Sequence, residues 1–203
     1  MEVNLMLNRV KDALEQRGYT VHLFQTAQQA KDYLLSAIAP HQSVGFGGSM
    51  TLKNMGLEQA LCARGNPVYW HWTAEDKEEA QRKAACADVY LTSANAVTKA
   101  GQIINIDGHG NRVAATLHGP GRVIFVVGRN KISANYDAAI QRLKRIVCPA
   151  NAKRMALDTP CAKLGFCVDC DSKQRICNAT VVLEHRLIGY QMDVILVNEE
   201  LGY

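Results

Sequence analysis

The sequence predicts an α/β fold of three layers, with a mainly parallel sheet covered by helices on both faces. Three observations lead there. Helical and strand periodicities alternate nearly throughout the chain. Runs such as 89–92 and 122–127 are apolar enough to be strands buried on both sides, as in parallel sheets. Hydrophobic residues make up 48% of the 203 positions, an ample core for one domain.

The elements follow in order. Val3, Met6, Val10 and Leu14 fall at helical spacing, and Gly18 stands where a helix C-terminal cap belongs. Thr20 to Phe24 reads as a strand. Thr26 is an N-cap for a helix whose Ala27, Ala30, Leu34 and Ile38 share a face, ended by Pro40. Ser43 to Phe46 is a strand, and a glycine turn then leads into a helix through Leu52, Met55 and Leu61 up to Gly65. Val68 to Trp70 is a strand, Glu75 to Cys86 a charged helix and Val89 to Thr92 a buried strand. AVTKAGQIINID predicts a hairpin turning at Lys99-Ala100-Gly101. Arg122 to Val127 is a strand, Tyr136 to Val147 a helix stopped by Cys148-Pro149, and TVVLEH and DVILVN are the closing strands. No linker divides the chain, so residues 1–203 are expected to form one domain.

Composition excludes several classes. A net charge of +4 with scattered basic residues and 6% aromatics does not describe a nucleic-acid surface. No apolar run approaches a membrane span, and the amphipathic start MEVNLMLNRVKDALEQ lacks the pattern of a secretory signal. A cytoplasmic protein without membrane insertion is expected, its oligomeric state left open.

Four of the seven cysteines, Cys161, Cys167, Cys170 and Cys177, crowd the segment 159–178 with the spacing C-x5-C-x2-C-x6-C. Thiolates are soft ligands suited to iron–sulfur clusters and zinc, and four complete either site. An iron–sulfur cluster of the [4Fe–4S] type is the favoured expectation and zinc the alternative. As an insertion between the last helix and the last strands, the segment is expected at the rim of the domain. Cys62, Cys86 and Cys148 are expected to be buried small hydrophobes.

A second feature is the loop Gly45-Phe46-Gly47-Gly48-Ser49-Met50-Thr51 between a strand and a helix. Backbone amides of Gly47 and Gly48 with the hydroxyls of Ser49 and Thr51 suit a phosphate or carboxylate. The same residues also suit a plain turn with a helix cap. Loops after other strands add Asn95, Asn105, Asp107, Asn111 and Lys131 as substrate-binding candidates, with Asp88 and Asp107 as proton-handling carboxylates. Asp107 and Asn111 equally suit turn and cap roles. These residues are expected to line one cleft, because parallel strands present their C-terminal ends on a common edge. Its ligand would be a small anionic metabolite.

VGFGGSMTLKNMGL, ADVYLTSANAVTKAGQIINIDGHGNRVAA, VIFVVGRNKI, TPCAKLGFCVDCDSKQRICN and VILVNEELGY together resemble the lactate-utilisation (LUD-domain) family in its short single-domain form. The resemblance covers nearly the whole chain. It implies the scaffold of ribose-phosphate isomerases and CoA transferases, and a tie to the oxidation of lactate or a related hydroxy acid alongside redox partner proteins. ADVYLTSANAV…GQIINIDGHGNRVA is also similar to the segment of sugar-phosphate isomerases in which an aspartate like Asp88 and an asparagine like Asn105 sit by substrate. The Gly-Thr closing that segment there has no counterpart here. An isomerase- or transferase-like enzyme on a phosphorylated or carboxylated substrate, with structural zinc, is the alternative expectation.

Overall fold

The computed structural model describes residues 2–203. Its main sheet has six parallel strands: β1 (Thr20–Phe24), β2 (Val44–Phe46), β3 (Val68–Tyr69), β4 (Val89–Thr92), β7 (Arg122–Gly128) and β10 (Gln191–Val197). Their order is β1-β10-β7-β4-β2-β3. The last strand in sequence thus lies inside the sheet, paired with β1 on one side and β7 on the other. That position explains its burial pattern: Met192 to Val197 are all buried.

Alternate side chains of these strands feed two separate cores. On one face Val21, Tyr90, Phe125, Val194 and Leu196 pack with Val10 and Leu14 of α1 (Glu2–Gln16) and Ala84 of α5 (Lys77–Ala85). On the other, Phe46, Leu91, Ile124, Val126 and Ile195 meet Leu34 of α2 (Ala27–Ala37), Leu52 of α3 (Met50–Asn54) and Leu61 of α4 (Leu57–Ala63). This is the expected three-layer α/β/α arrangement, and the period-two alternation of the strands is what divides the cores. Helix α2 starts at a full capping box: the Thr26 hydroxyl accepts from the Gln29 amide, and the Gln29 side chain accepts from the Thr26 amide.

Helix α5 crosses β2 where Gly45 leaves no side chain. A Cβ there would stand 2.7 Å from Cα and 2.9 Å from the carbonyl carbon of Ala84. Backbone cannot move aside as a side-chain tip does. Gly45→Ala is therefore expected to cost about 1–3 kcal/mol, the range for overpacking, read as a lower urea midpoint with an unchanged slope.

Four differences from the sequence reading have local causes. The helix expected through to Gly65 is two helices, because Gly56 takes a left-handed φ of 60° between them. The helix expected to stop at Cys148-Pro149 continues. Helix α7 (Tyr136–Arg142) passes through a π-helical turn at Leu143–Val147 into α8 (Cys148–Arg154). The wide turn accommodates the proline's missing N–H near the start of α8. Cys62 and Cys86 are exposed, and only Cys148 of that trio is buried.

The fourth difference is a second sheet. Strands β5 (Ala96–Thr98) and β6 (Ile103–Asp107) form the expected hairpin, flanked by β8 (Ile132–Ser133) and β9 (Ala179–Leu183) in the order β8-β5-β6-β9. β9 runs antiparallel to β6, so it leaves the main sheet altogether. Among the described residues no helix is long and apolar enough to cross a membrane.

Candidate functional site

The C-terminal ends of β2, β3, β4 and β7 open onto one cleft of about 170 Å³, far above the ~15 Å³ that one water needs. Its wall includes Gly48, Ser49 and Thr51 after β2, His71 and Trp72 after β3, and Ser93 to Asn95 after β4. Lys131, at the end of the short turn that follows β7, is there too. The second sheet contributes Asp107, His109, Asn111 and Arg112 from the end of β6 and the start of α6 (Asn111–Leu117). Connections leaving parallel strands at one edge bring these segments together although they are far apart in sequence.

Arg112 organises the corner between the two sheets. Its guanidinium donates to Oδ1 of Asn105 at 2.5 Å, to Oδ1 of Asn95 at 3.0 Å and to the carbonyls of Ile106 and Ser93 at 2.6 and 3.4 Å. Its Nε lies 3.5 Å from Oδ2 of Asp107. So many partners leave this cation no capacity for a ligand; it is a buried bracket. Asn95 and Asn105 are correspondingly engaged. Asn105 Oδ1 also accepts from the Asn95 amide, and Asn95 Oδ1 accepts from the Ile106 amide. Asn105 stands behind the wall of the cleft, whereas Asn95 lines it.

Asp107 has two different oxygens. Oδ1 accepts from the amides of His109 and Gly110 at 3.2 and 3.1 Å, the turn role that an Asp-Gly sequence commonly plays. Oδ2 is buried and makes no hydrogen bond within the described structure, with only the Arg112 charge nearby. His71 faces the same region. Burial lowers its pKa, partly opposed by the Asp107 carboxylate, so the imidazole is neutral at pH 7.

The glycine loop divides its work. The Gly47 amide donates to the Leu91 carbonyl at 2.9 Å, holding the loop to the sheet, so it is not the ligand donor that the sequence suggested. A side chain at Gly47 would meet Thr92, Arg112 and the Tyr90 hydroxyl within 2.8–3.1 Å. Ser49 accepts from the Leu52 amide as the N-cap of α3. The amides of Gly48 and Ser49 have no acceptor among the described residues, and both residues line the cleft. Trp72 covers Gly48 at 3.2 Å from where a Cβ would be, and Arg154 lies 4.7 Å over the Trp72 ring.

Lys131 is 4% exposed. Its Nζ donates to Thr51 Oγ1 and Ser93 Oγ, both at 2.8 Å, and no carboxylate pairs with it among the described residues. Thr51 therefore supports the lysine rather than offering its own hydroxyl. Burial, reinforced by the Arg142 and Arg112 charges, pulls the Lys131 pKa down to about 7 from 10.5. Between those two values the unfolded chain binds more protons at this residue than the folded one. Its contribution to stability therefore rises with pH across that window and is weakest below pH 7. Urea unfolding at pH 7, 8.5 and 10 should show the parent gaining stability relative to Lys131→Met as pH rises.

Asp88 is a correction. It precedes β4 and so stands at the N-terminal edge, opposite the cleft, where its Oδ2 accepts from the Ser43 amide and hydroxyl at 2.8 and 2.7 Å. These bonds hold its pKa below the usual carboxylate value and clamp β4 to β2. It has no access to a ligand in the cleft.

The cysteine segment lies against the cleft as well as at the surface. Helix α9 (Pro160–Leu164) begins it. Ile176, beside Cys177, lines the cleft together with Cys148 and packs on Gly108 at 3.0 Å from where a Cβ would be. The expected rim position is thus only half the description. All four thiols of the segment are free and partly buried. Cys161, Cys167 and Cys177 are near enough to Cys148 to push its thiol further up, after burial itself, to about 12. Arg175 donates to the carbonyls of Cys170 and Cys177, and the Asp169 amide donates to Cys167 Sγ at 3.4 Å. Thiol number, a nearby guanidinium and an N–H···S bond suit thiolate ligands to a soft metal. As they stand, no three His, Cys, Asp or Glu side chains among the described residues are at metal-ligating positions.

His71, Trp72, Arg154, Cys148 and Arg112 carried no distinguishing sequence signal as site residues. Each stands in a segment whose pattern reads as an ordinary turn or helix, and only the packing of the two sheets gathers them.

A parallel sheet between two helical layers, with a polar cleft at its strand ends, defines a three-layer α/β/α domain of the open-sheet class. The chain belongs to the LUD-domain family, whose model matches residues 7–197. It is similar in fold to a DUF162 family protein from Deinococcus radiodurans, with a TM-score of 0.58 and 14% identity over 97% of this chain and 99% of that one. No curated protein matches the chain.

Proposed function

We propose that this protein is an iron–sulfur protein serving the oxidation of lactate or a related hydroxy acid, and that its cleft holds the small anionic metabolite. Membership of the LUD-domain family ties the chain to lactate utilisation. The observation that carries the cleft reading is the buried Lys131 amine without a carboxylate partner. Beside it, Gly48 and Ser49 line the same cleft, and their amides have no acceptor among the described residues. Arg154 at the mouth adds positive charge. A carboxylate or phosphate satisfies this surplus of donors; a cation or an apolar ligand does not.

Cys161, Cys167, Cys170 and Cys177 would hold the metal centre, most simply as a [4Fe–4S] cluster. Such a group supplies one-electron chemistry. What the chain itself supplies is a cleft wall, through Ile176 and Cys148, shared by the metabolite and the cysteine segment. Redox partner proteins follow from that role. Asp107, whose Oδ2 makes no hydrogen bond, and His71 line the same cleft, and this pair favours a second reading, an isomerase- or transferase-like enzyme with structural zinc.

Anaerobic purification followed by iron, sulfide and zinc analysis, with calorimetric titration of lactate, pyruvate and a sugar phosphate, tests both. Iron and sulfide with hydroxy- or oxo-acid binding supports the first reading. Zinc with sugar-phosphate binding supports the second. Cys167→Ser should lose the metal and lower the melting temperature in either case. Full analyses finding none of the three elements would remove the metal from both.

A further inference from the structure

The immediate surroundings of Lys131 suit a neutral amine better than an ammonium. The Ser93 hydroxyl donates to the Val126 carbonyl at 2.6 Å and the Thr51 hydroxyl to the Leu201 carbonyl at 3.1 Å. Each hydroxyl has thereby committed its single proton and can only accept from Nζ. Two such acceptors satisfy the two N–H bonds of an amine and leave its lone pair free. An ammonium would have a third N–H with no protein acceptor among the described residues. The nearest charges reinforce this. They are the guanidiniums of Arg112 and of Arg142, whose Nε and Nη2 are buried without hydrogen-bond partners. Lys131 also lines a cleft whose other donors select a carboxylate or phosphate.

We propose that Lys131 is a nucleophile that forms an imine with a small 2-oxo acid bound in the cleft. The proposal rests on the anion-binding reading above and narrows it to a carbonyl compound. The lone pair of Nζ attacks the carbonyl carbon, forming the C–N bond as the π electrons move to oxygen. Nitrogen loses one proton, oxygen gains one, and the carbinolamine hydroxyl takes a second proton and leaves as water. Amine, ketone and one proton thus give iminium and water, with no oxidant or reductant. His71, His109 and Asp107 line the cleft and are placed to pass these protons. The iminium nitrogen keeps a single N–H, which donates to one of the two hydroxyls, and the carboxylate of the bound acid stays within the donor-rich wall. Amines with depressed pKa values are the ones that react in this way near neutral pH.

The test is borohydride trapping on the intact protein with glyoxylate, pyruvate and 2-oxoglutarate in separate reactions at pH 7.5. Peptide mass mapping locates the adduct, and calorimetry of the same acids and of lactate runs in parallel. The expected result is a reduced adduct on Lys131 with at least one of the acids, absent from Lys131→Arg and retained in the surface variant Lys99→Arg. Cyanate, a three-atom reagent, should carbamylate Lys131 at least about tenfold faster than the exposed lysines at this pH. If oxo acids bind but Lys131 carries no adduct, the imine is overturned and the anion cleft stands. If neither oxo nor hydroxy acids bind, both fall. Adducts confined to other lysines, or cyanate reactivity at Lys131 no greater than the rest, would also overturn the proposal, whatever the folding of Lys131→Arg.

Discussion

Arg112→Met is expected to be among the most damaging single changes near the cleft, costing about 3–5 kcal/mol of stability. The methionine fills much of the arginine's volume, but four acceptors lose the guanidinium: the carbonyls of Ile106 and Ser93, and the Asn95 and Asn105 oxygens, which keep one backbone amide each. Asp107 also loses its only nearby cation and is left as a buried carboxylate with an unpaired Oδ2. Because Arg112 joins the turn after β4 to the end of β6, its loss should loosen the second sheet against the first. Chemical unfolding should show a lower midpoint, and calorimetry should show weakened metabolite binding in the same variant. Full stability in Arg112→Met would mean that this corner is held by apolar packing alone.

Arg122→Met is expected to cost as much stability, about 3–5 kcal/mol, while sparing the cleft. Asp193 on β10 is fully buried, and its Oδ2 accepts from Arg122 on the adjacent β7. Removing the arginine strands a carboxylate in the sheet interior, where its Oδ1 already lacks a partner. Replacing both members, as in Arg122→Met with Asp193→Leu, should recover most of the loss, since the penalty belongs to the unpaired charge rather than to the missing attraction. The pair lies toward the N-terminal ends of its strands, at the opposite edge from the cleft. A double-mutant cycle in urea, run beside ligand titration, therefore separates the two effects. Each Arg122 variant should unfold earlier yet bind its ligand with parental affinity. Metabolite affinity falling in parallel with stability would show that the two edges of the sheet are coupled.

The two arginines show which information is local. Residue 122 opens an apolar strand, and nothing around it announces that its partner is an aspartate 71 positions later. Strand β9 illustrates the same limit. TVVLEH reads as a strand, but whether it joins the parallel sheet or turns away to pair with β6 depends on edges that only the assembled fold presents. Asp88 is different: it was expected in the cleft, although its place before β4 already put it at the N-terminal edge and the strand's polarity argued against that expectation.

Within the cleft, sequence identified Gly48, Ser49, Asn95, Asp107, Asn111 and Lys131 through one rule, that polar and glycine residues after parallel strands collect at a common edge. That rule gives place without role. Which donors remain free depends on hydrogen bonds between distant segments: Gly47 is used by Leu91, Asn105 by Arg112 and Asn95, and Thr51 by Lys131. Trp72, His71 and Arg154 enter through packing that no short pattern encodes.

By itself the sequence determined the alternation of helix and strand, the two-sided burial of the main strands, the β5–β6 hairpin and the concentration of thiols in 159–178, because each depends on neighbours a few residues apart. Only the tertiary structure decided that β10 inserts between β1 and β7, that the cysteine segment shares a wall with the cleft, and that Lys131 is buried between two hydroxyls with no carboxylate beside it. The physical reason is range. Periodicity and capping act over a few residues. Desolvation, charge pairing and the accounting of buried donors and acceptors are settled between residues that meet only when the chain has folded.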